Sequence, residues 1–130
     1  MRFRLAIVDE ENAVLCKLEN HFKLRNYQVN IYDDPVKFIT DLKRLHHKIV
    51  LLSSELQKMP SLNLLGRIKK INPLIQVIMT ARESGSDEVK QALANGAVSV
   101  LEKPFDSLQA VEKEVEKSVL WLENKIQGGK

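Results

Sequence analysis

Only one cysteine, Cys16, occurs among the 130 residues, so no internal disulfide is available. Cys16 stands beside Leu15 and Leu18 in a helical pattern, and the expectation is a buried, unreactive thiol. Aromatic residues make up 5% of the chain, and none interleaves with the densest basic stretches, "KRLHHK" (43–48) and "RIKK" (67–70). That removes the stacking platforms a nucleic-acid binder uses. The formal charge is +3, but 17 acids are dispersed among 20 bases with no block of one sign. A solvated mixed surface is expected, with no direct contact to nucleic acid. No apolar run approaches the ~20 residues of a membrane span. The start, "MRFRLAIVDEEN", carries an apolar stretch too short for a signal sequence. These absences predict a cytoplasmic protein with no membrane partner.

What the chain does contain is a hydrophobic period that switches between strand and helix. At this length a single domain with a sizeable core is expected. "RLAIV" (4–8), "YQVNIY" (27–32), "IVLLS" (49–53), "QVIMT" (76–80) and "VSVLE" (98–102) read as strands. Between them, helical spacing runs through Val14, Leu15, Leu18 and Phe22. It returns from Pro35 through Val36, Phe38, Ile39, Leu42 and Leu45, and again over "LNLLGRIKKI" (62–71). "SDEVKQALANG" opens on a Ser86 or Asp87 cap and stops at Gly96. A last helix is predicted from Asp106 or Ser107 to about Gln127, before a flexible "GGK".

Five strand–helix alternations imply an α/β fold, a doubly wound parallel sheet covered on both faces. Of the two common strand orders, 2-1-3-4-5 suits five strands best. The carboxyl ends of strands one and three then border the crevice where ligands bind in such sheets. Asp9 and Glu10 follow the first strand, Ser53 ends the third, Thr80 ends the fourth and Lys103 follows the fifth. Each has a bland reading alone, as a cap or a strand end. Their convergence at one sheet edge makes them candidate site residues.

The segments "AIVDEE", "VIMTARES" and "NGAVSVLEKPF", in that order and at those spacings, resemble the receiver domain of bacterial two-component response regulators. The resemblance spans residues 3 to about 122, leaving 123–130 as the end of the last helix and a tail or linker. It implies a flavodoxin-like fold and a role in phosphorelay signalling rather than as an enzyme. It implies that Asp9 and Glu10 hold Mg²⁺ with a backbone carbonyl from Glu55, and that Thr80 and Lys103 contact phosphoryl oxygens. It also implies a cis Lys103–Pro104 peptide and a conformational switch residue at position 100. The implied partners are a histidine kinase, an output domain or another regulator.

The same alignment puts Ser53 where the family has its phosphoacceptor aspartate. Gln57 stands at the usual loop proline, Ser61 at a usual glycine, and Val100 at the usual switch aromatic. A serine hydroxyl has no pre-existing anion, and no adjacent base is evident to activate it. Losing one of three carboxylates predicts weak Mg²⁺ binding at best. The favoured expectation is a degenerate receiver that works as a phosphorylation-independent interaction module, with Lys103 a counter-ion for Asp9 or Glu10. Two alternatives stand beside it. One is a phosphorylatable receiver, using Glu55 or an aspartate lost from position 53 by engineering, although the further departures favour natural divergence. The other is a flavodoxin-like small-ligand binder, which "DEENAV" argues against because its acids repel phosphate. Along the last helix, Leu108, Val111, Val115, Val119, Leu122 and Ile126 form one stripe. Its far end, with Trp121, is a candidate surface for a homodimer.

Overall fold

The computed structural model describes residues 3–128, so Gly129 and Lys130 of the predicted tail lie outside the described residues. Five strands alternate with five helices: β1 (Arg4–Val8), α1 (Asn12–Leu24), β2 (Gln28–Tyr32), α2 (Pro35–Leu45), β3 (Ile49–Ser53), α3 (Ser61–Ile71), β4 (Gln76–Ala81), α4 (Asp87–Ala94), β5 (Ser99–Glu102) and α5 (Leu108–Gly128). The strands form one sheet in the order β2-β1-β3-β4-β5, as expected, and all neighbours are parallel.

Alternation along the strands divides the core in two, because successive side chains point to opposite faces. Ala6, Val8, Val50, Leu52, Val77 and Met79 point to the face covered by Phe38 and Leu42 of α2, Leu64, Leu65 and Ile68 of α3, and Ala92 of α4. Leu5, Ile7, Ile49, Leu51 and Ile78 point to the face covered by Leu15, Leu18 and Phe22 of α1 and Val111, Val115 and Leu122 of α5. β3 and β4 are buried at every residue, which is why they read as unbroken apolar runs. The register sets Ser53 beside Thr80 across β3 and β4.

The predicted helix starts hold for physical reasons. Asp34 accepts a hydrogen bond from the Val36 N–H at 3.0 Å, and Pro35 occupies the first helical turn, where its missing N–H costs nothing. Ser86 likewise caps α4 through the Val89 N–H. The Lys103–Pro104 peptide is cis, as the resemblance implied.

Three expectations change. Cys16 is exposed, not buried. A helix advances about 100° per residue, which carries Cys16 off the stripe of Leu15, Leu18 and Phe22. Val36, counted in the apolar stripe of α2, is also exposed, because it sits in the first turn on the solvent side. Finally, the far end of the α5 stripe is not all free to form a homodimer surface. Leu122 is 4% exposed and belongs to the core, whereas Leu120 and Ile126 are exposed. α5 runs unbroken past residue 122 to Gly128.

His47, between α2 and β3, is fully buried, and its Nε2 lies 2.8 Å from Asn30 Oδ1. Burial, helped by the charge of Arg4 and opposed by Asp41, pushes its pKa down to about 4. The folded state thus favours the neutral ring, and its contribution is complete above the unfolded pKa near 6.5 and is lost as pH falls from there toward 4. Unfolding free energy should drop by about 2 kcal/mol more between pH 7 and pH 5 in the natural chain than in His47→Gln. Denaturant titrations giving parallel pH profiles for the two proteins would remove this role.

Candidate functional site

The carboxyl ends of β1, β3, β4 and β5 bring Asp9, Ser53, Thr80 and Lys103 to one crevice, with Asp9, Ser53, Thr80 and Lys103 all buried. Asp9 begins the loop after β1, where its backbone N–H donates to Tyr32 O and its Oδ1 accepts from the Glu11 N–H at 2.9 Å. Its other oxygen, Oδ2, accepts from Lys103 Nζ at 2.8 Å. Lys103 Nζ also donates to Ser53 Oγ at 3.2 Å and lies 3.2 Å from Glu55 Oε1. An ammonium has three N–H donors, and here three separate oxygens surround it.

Lys103 is thus the expected counter-ion, and of the two acids named for it the partner is Asp9, not Glu10. The Glu10 carboxylate turns outward and accepts from the backbone N–H groups of Gln57 and Lys58 at 2.9–3.0 Å. Proline at position 57 has no N–H to give. The glutamine found there adds its N–H to that of Lys58 in the grip on Glu10.

Glu55 departs from expectation in a second way. The resemblance assigned it only a backbone carbonyl, yet its side chain enters the crevice. Oε2 accepts from Ser54 Oγ at 2.5 Å and from the Arg82 N–H at 3.0 Å, while Oε1 faces Lys103. Burial pushes the Glu55 carboxyl up, but Ser54, Arg82 and Lys103 together outweigh burial and hold it below the ordinary value. Strand alternation would turn Ser54 away from Ser53. β3 ends at Ser53, so strand alternation no longer governs the next residue, and the Ser54 hydroxyl is drawn to Glu55.

Ser53 Oγ accepts from Lys103 Nζ and from the Glu55 N–H at 3.1 Å. Both contacts use its lone pairs, and neither supplies a base. The histidines of the described chain that make side-chain hydrogen bonds make them elsewhere, His21 to Glu112 and His47 to Asn30. Ser61 is buried and donates from Oγ to Ser53 O at 2.6 Å, a bond that the glycine usual there cannot make.

The acids do not fit a divalent cation. Among the described residues no group of three or more His, Cys, Asp or Glu is arranged to hold a metal. Asp9 is engaged by an ammonium, Glu10 by two loop amides, and Glu55 by Lys103, Ser54 and Arg82. Mg²⁺ wants octahedral oxygen coordination and gives up its waters reluctantly, so it has to compete with all of these.

Two residues here were not singled out as site residues by sequence. Ser61 was noted only as a departure, and Arg82 carries no motif of its own. Arg82 matters through its backbone N–H and through a guanidinium that pairs with Glu11 across the mouth of the crevice. Val100 is half-buried and packs against the α2–α3–α4 side of the core.

The ion pair between Lys103 and Asp9 is buried on both sides, with side chains 3% and 4% exposed. Removing one member leaves the other charge buried and uncompensated. Lys103→Ala should therefore destabilise the fold by about 3 kcal/mol. A denaturant midpoint and slope matching those of the natural chain would contradict this.

The sheet and its helices have counterparts among known proteins. Two curated relatives are protein-glutamate methylesterase/protein-glutamine glutaminase enzymes. One, from Anaeromyxobacter dehalogenans (strain 2CP-C), is 28% identical over 78% of this chain and 29% of its own length. The other, from Hydrogenovibrio crunogenus (strain DSM 25203 / XCL-2), is 29% identical over 83% of this chain and 30% of its own. The chain thus spans about three-tenths of the length of these curated relatives. Among solved structures, a CheY-like response regulator receiver domain protein from Methanospirillum hungatei JF-1 superposes with a TM-score of 0.84. It is 22% identical, and the match covers 94% of this chain and 98% of that one. The family model described as "Response regulator receiver domain" matches residues 5–115, which include every strand-end residue of the crevice, and the chain belongs to that family.

Proposed function

We propose that this receiver domain is not switched by phosphorylation and works as a protein-interaction module. The observation that carries this reading is Ser53. Phosphorylation in this family forms an acyl phosphate, which needs a carboxylate nucleophile. The Ser53 hydroxyl instead accepts hydrogen bonds from Lys103 and from the Glu55 N–H, with no base placed to take its proton. Val100 supports the reading, since a valine offers no aromatic ring to swing between inward and outward positions. Partners are other signalling proteins: a histidine kinase, an output domain or another regulator, met in the cytoplasm.

A second reading draws support from Glu55, whose carboxylate reaches Lys103 and is held ionised. In that reading Glu55 takes the phosphoryl group in place of the missing aspartate. Incubation with acetyl phosphate and Mg²⁺, followed by intact mass, separates the two. The expected outcome is no phosphoryl adduct on the natural chain, with weak or absent Mg²⁺ heats by calorimetry. An adduct that disappears in Glu55→Gln would establish the second reading instead.

The exposed end of α5 is the surface proposed for self-association. Leu120, Trp121 and Ile126 present apolar area to solvent beyond what the core needs. Sedimentation velocity at rising concentration should show a dimer that Trp121→Glu weakens. A monomer at every concentration would leave this surface without that role.

A further inference from the structure

Glu55 lies two residues beyond β3, yet its carboxylate is gripped by donors from three separate parts of the fold. Ser54 Oγ comes from the end of β3, the Arg82 N–H from the loop after β4, and Lys103 Nζ from the loop after β5. A hydroxyl and a backbone amide donating to one carboxylate oxygen, with an ammonium 3.2 Å from the other, form a set that suits an oxyanion. We propose that this crevice is an oxyanion site occupied by the protein's own Glu55 carboxylate, a tethered ligand that excludes free inorganic phosphate.

Charge and geometry agree. The cluster holds one cation, Lys103, against two carboxylates, the buried Asp9 and the partly exposed Glu55. A free anion approaching this cluster meets net negative charge. Removing Glu55 leaves Lys103 balanced by Asp9 alone, and it frees the Ser54 hydroxyl, the Arg82 N–H and one side of the ammonium. The outward turn of Glu10 keeps a further carboxylate off the vacated position. The depressed pKa of Glu55 keeps the tethered ligand ionised near neutrality. Glu55 also joins the loops after β3, β4 and β5, so filling the site internally holds all three in one arrangement.

The test uses the whole chain, labelled with ¹⁵N, titrated with inorganic phosphate against chloride at matched ionic strength. In the natural protein the Arg82 amide should be protected from hydrogen exchange and indifferent to phosphate. In Glu55→Ala it should exchange about tenfold faster, and phosphate should restore protection saturably while shifting the Arg82 resonance. Glu55→Ser, equally short and uncharged, should behave the same and covers the case in which the alanine variant folds poorly. Phosphate responses of equal size in the natural chain and the variants would overturn the proposal, as would variants that ignore phosphate. The inference rests on Ser53 not accepting a phosphoryl group, and the two fail separately. A phosphoryl adduct on the natural chain sinks that reading, whereas phosphate-silent Glu55 variants sink only the tethered ligand.

Discussion

A buried ammonium is the constraint on which the rest of the crevice depends. Lys103 reaches in from the loop after β5 and is 6% exposed, so its charge must be neutralised where it stands. Asp9 does this from β1 at 2.8 Å, Ser53 adds a hydroxyl from β3, and Glu55 adds a second carboxylate from the loop beyond. One side chain thereby ties three strand ends together. In a receiver with an aspartate at position 53, the resemblance would have that residue share the task. Here the loop glutamate has moved in.

The departures from the family pattern form a connected set rather than scattered drift. Serine at 53 removes a carboxylate, and Glu55 supplies another to the same lysine. Glutamine at 57 restores a backbone N–H that proline lacks, and Glu10 binds it, turning away from the crevice. Serine at 61 provides a hydroxyl to the carbonyl of Ser53. Gln57 and Ser61 each add a hydrogen bond that the usual residue cannot make, while Val100 lies outside this set. The loop is consequently held at Glu55 by the Arg82 N–H and at residues 57 and 58 by Glu10, which suits a module with one working shape.

Most of the architecture was legible in the chain. Short apolar runs between amphipathic stretches, with Asp34–Pro35 and Ser86 at helix starts, led to five strands, five helices and their order, because burial on both faces leaves a periodicity that local chemistry reinforces. The crevice was legible to the same extent. Strand ends are known once strands are known, so strand order alone brings Asp9, Ser53, Thr80 and Lys103 together. Helix faces were less secure where a residue sat one step from the stripe, as Cys16 and Val36 did.

What sequence alone determined, then, was which residues arrive at the sheet edge and that position 53 offers a hydroxyl in place of an anion. Tertiary structure decided which way the acids turn. Asp9 and Glu10 are neighbours, yet one faces the buried ammonium and the other the amides of residues 57 and 58. Glu55, a backbone ligand by the resemblance and a side-chain acceptor only in the alternative reading, enters with its side chain. These choices rest on distances between loops far apart in the chain. Side-chain rotation about a loop backbone has no period to read, and the free energy that selects among rotamers comes from donors that exist only once β1, β3, β4 and β5 stand side by side.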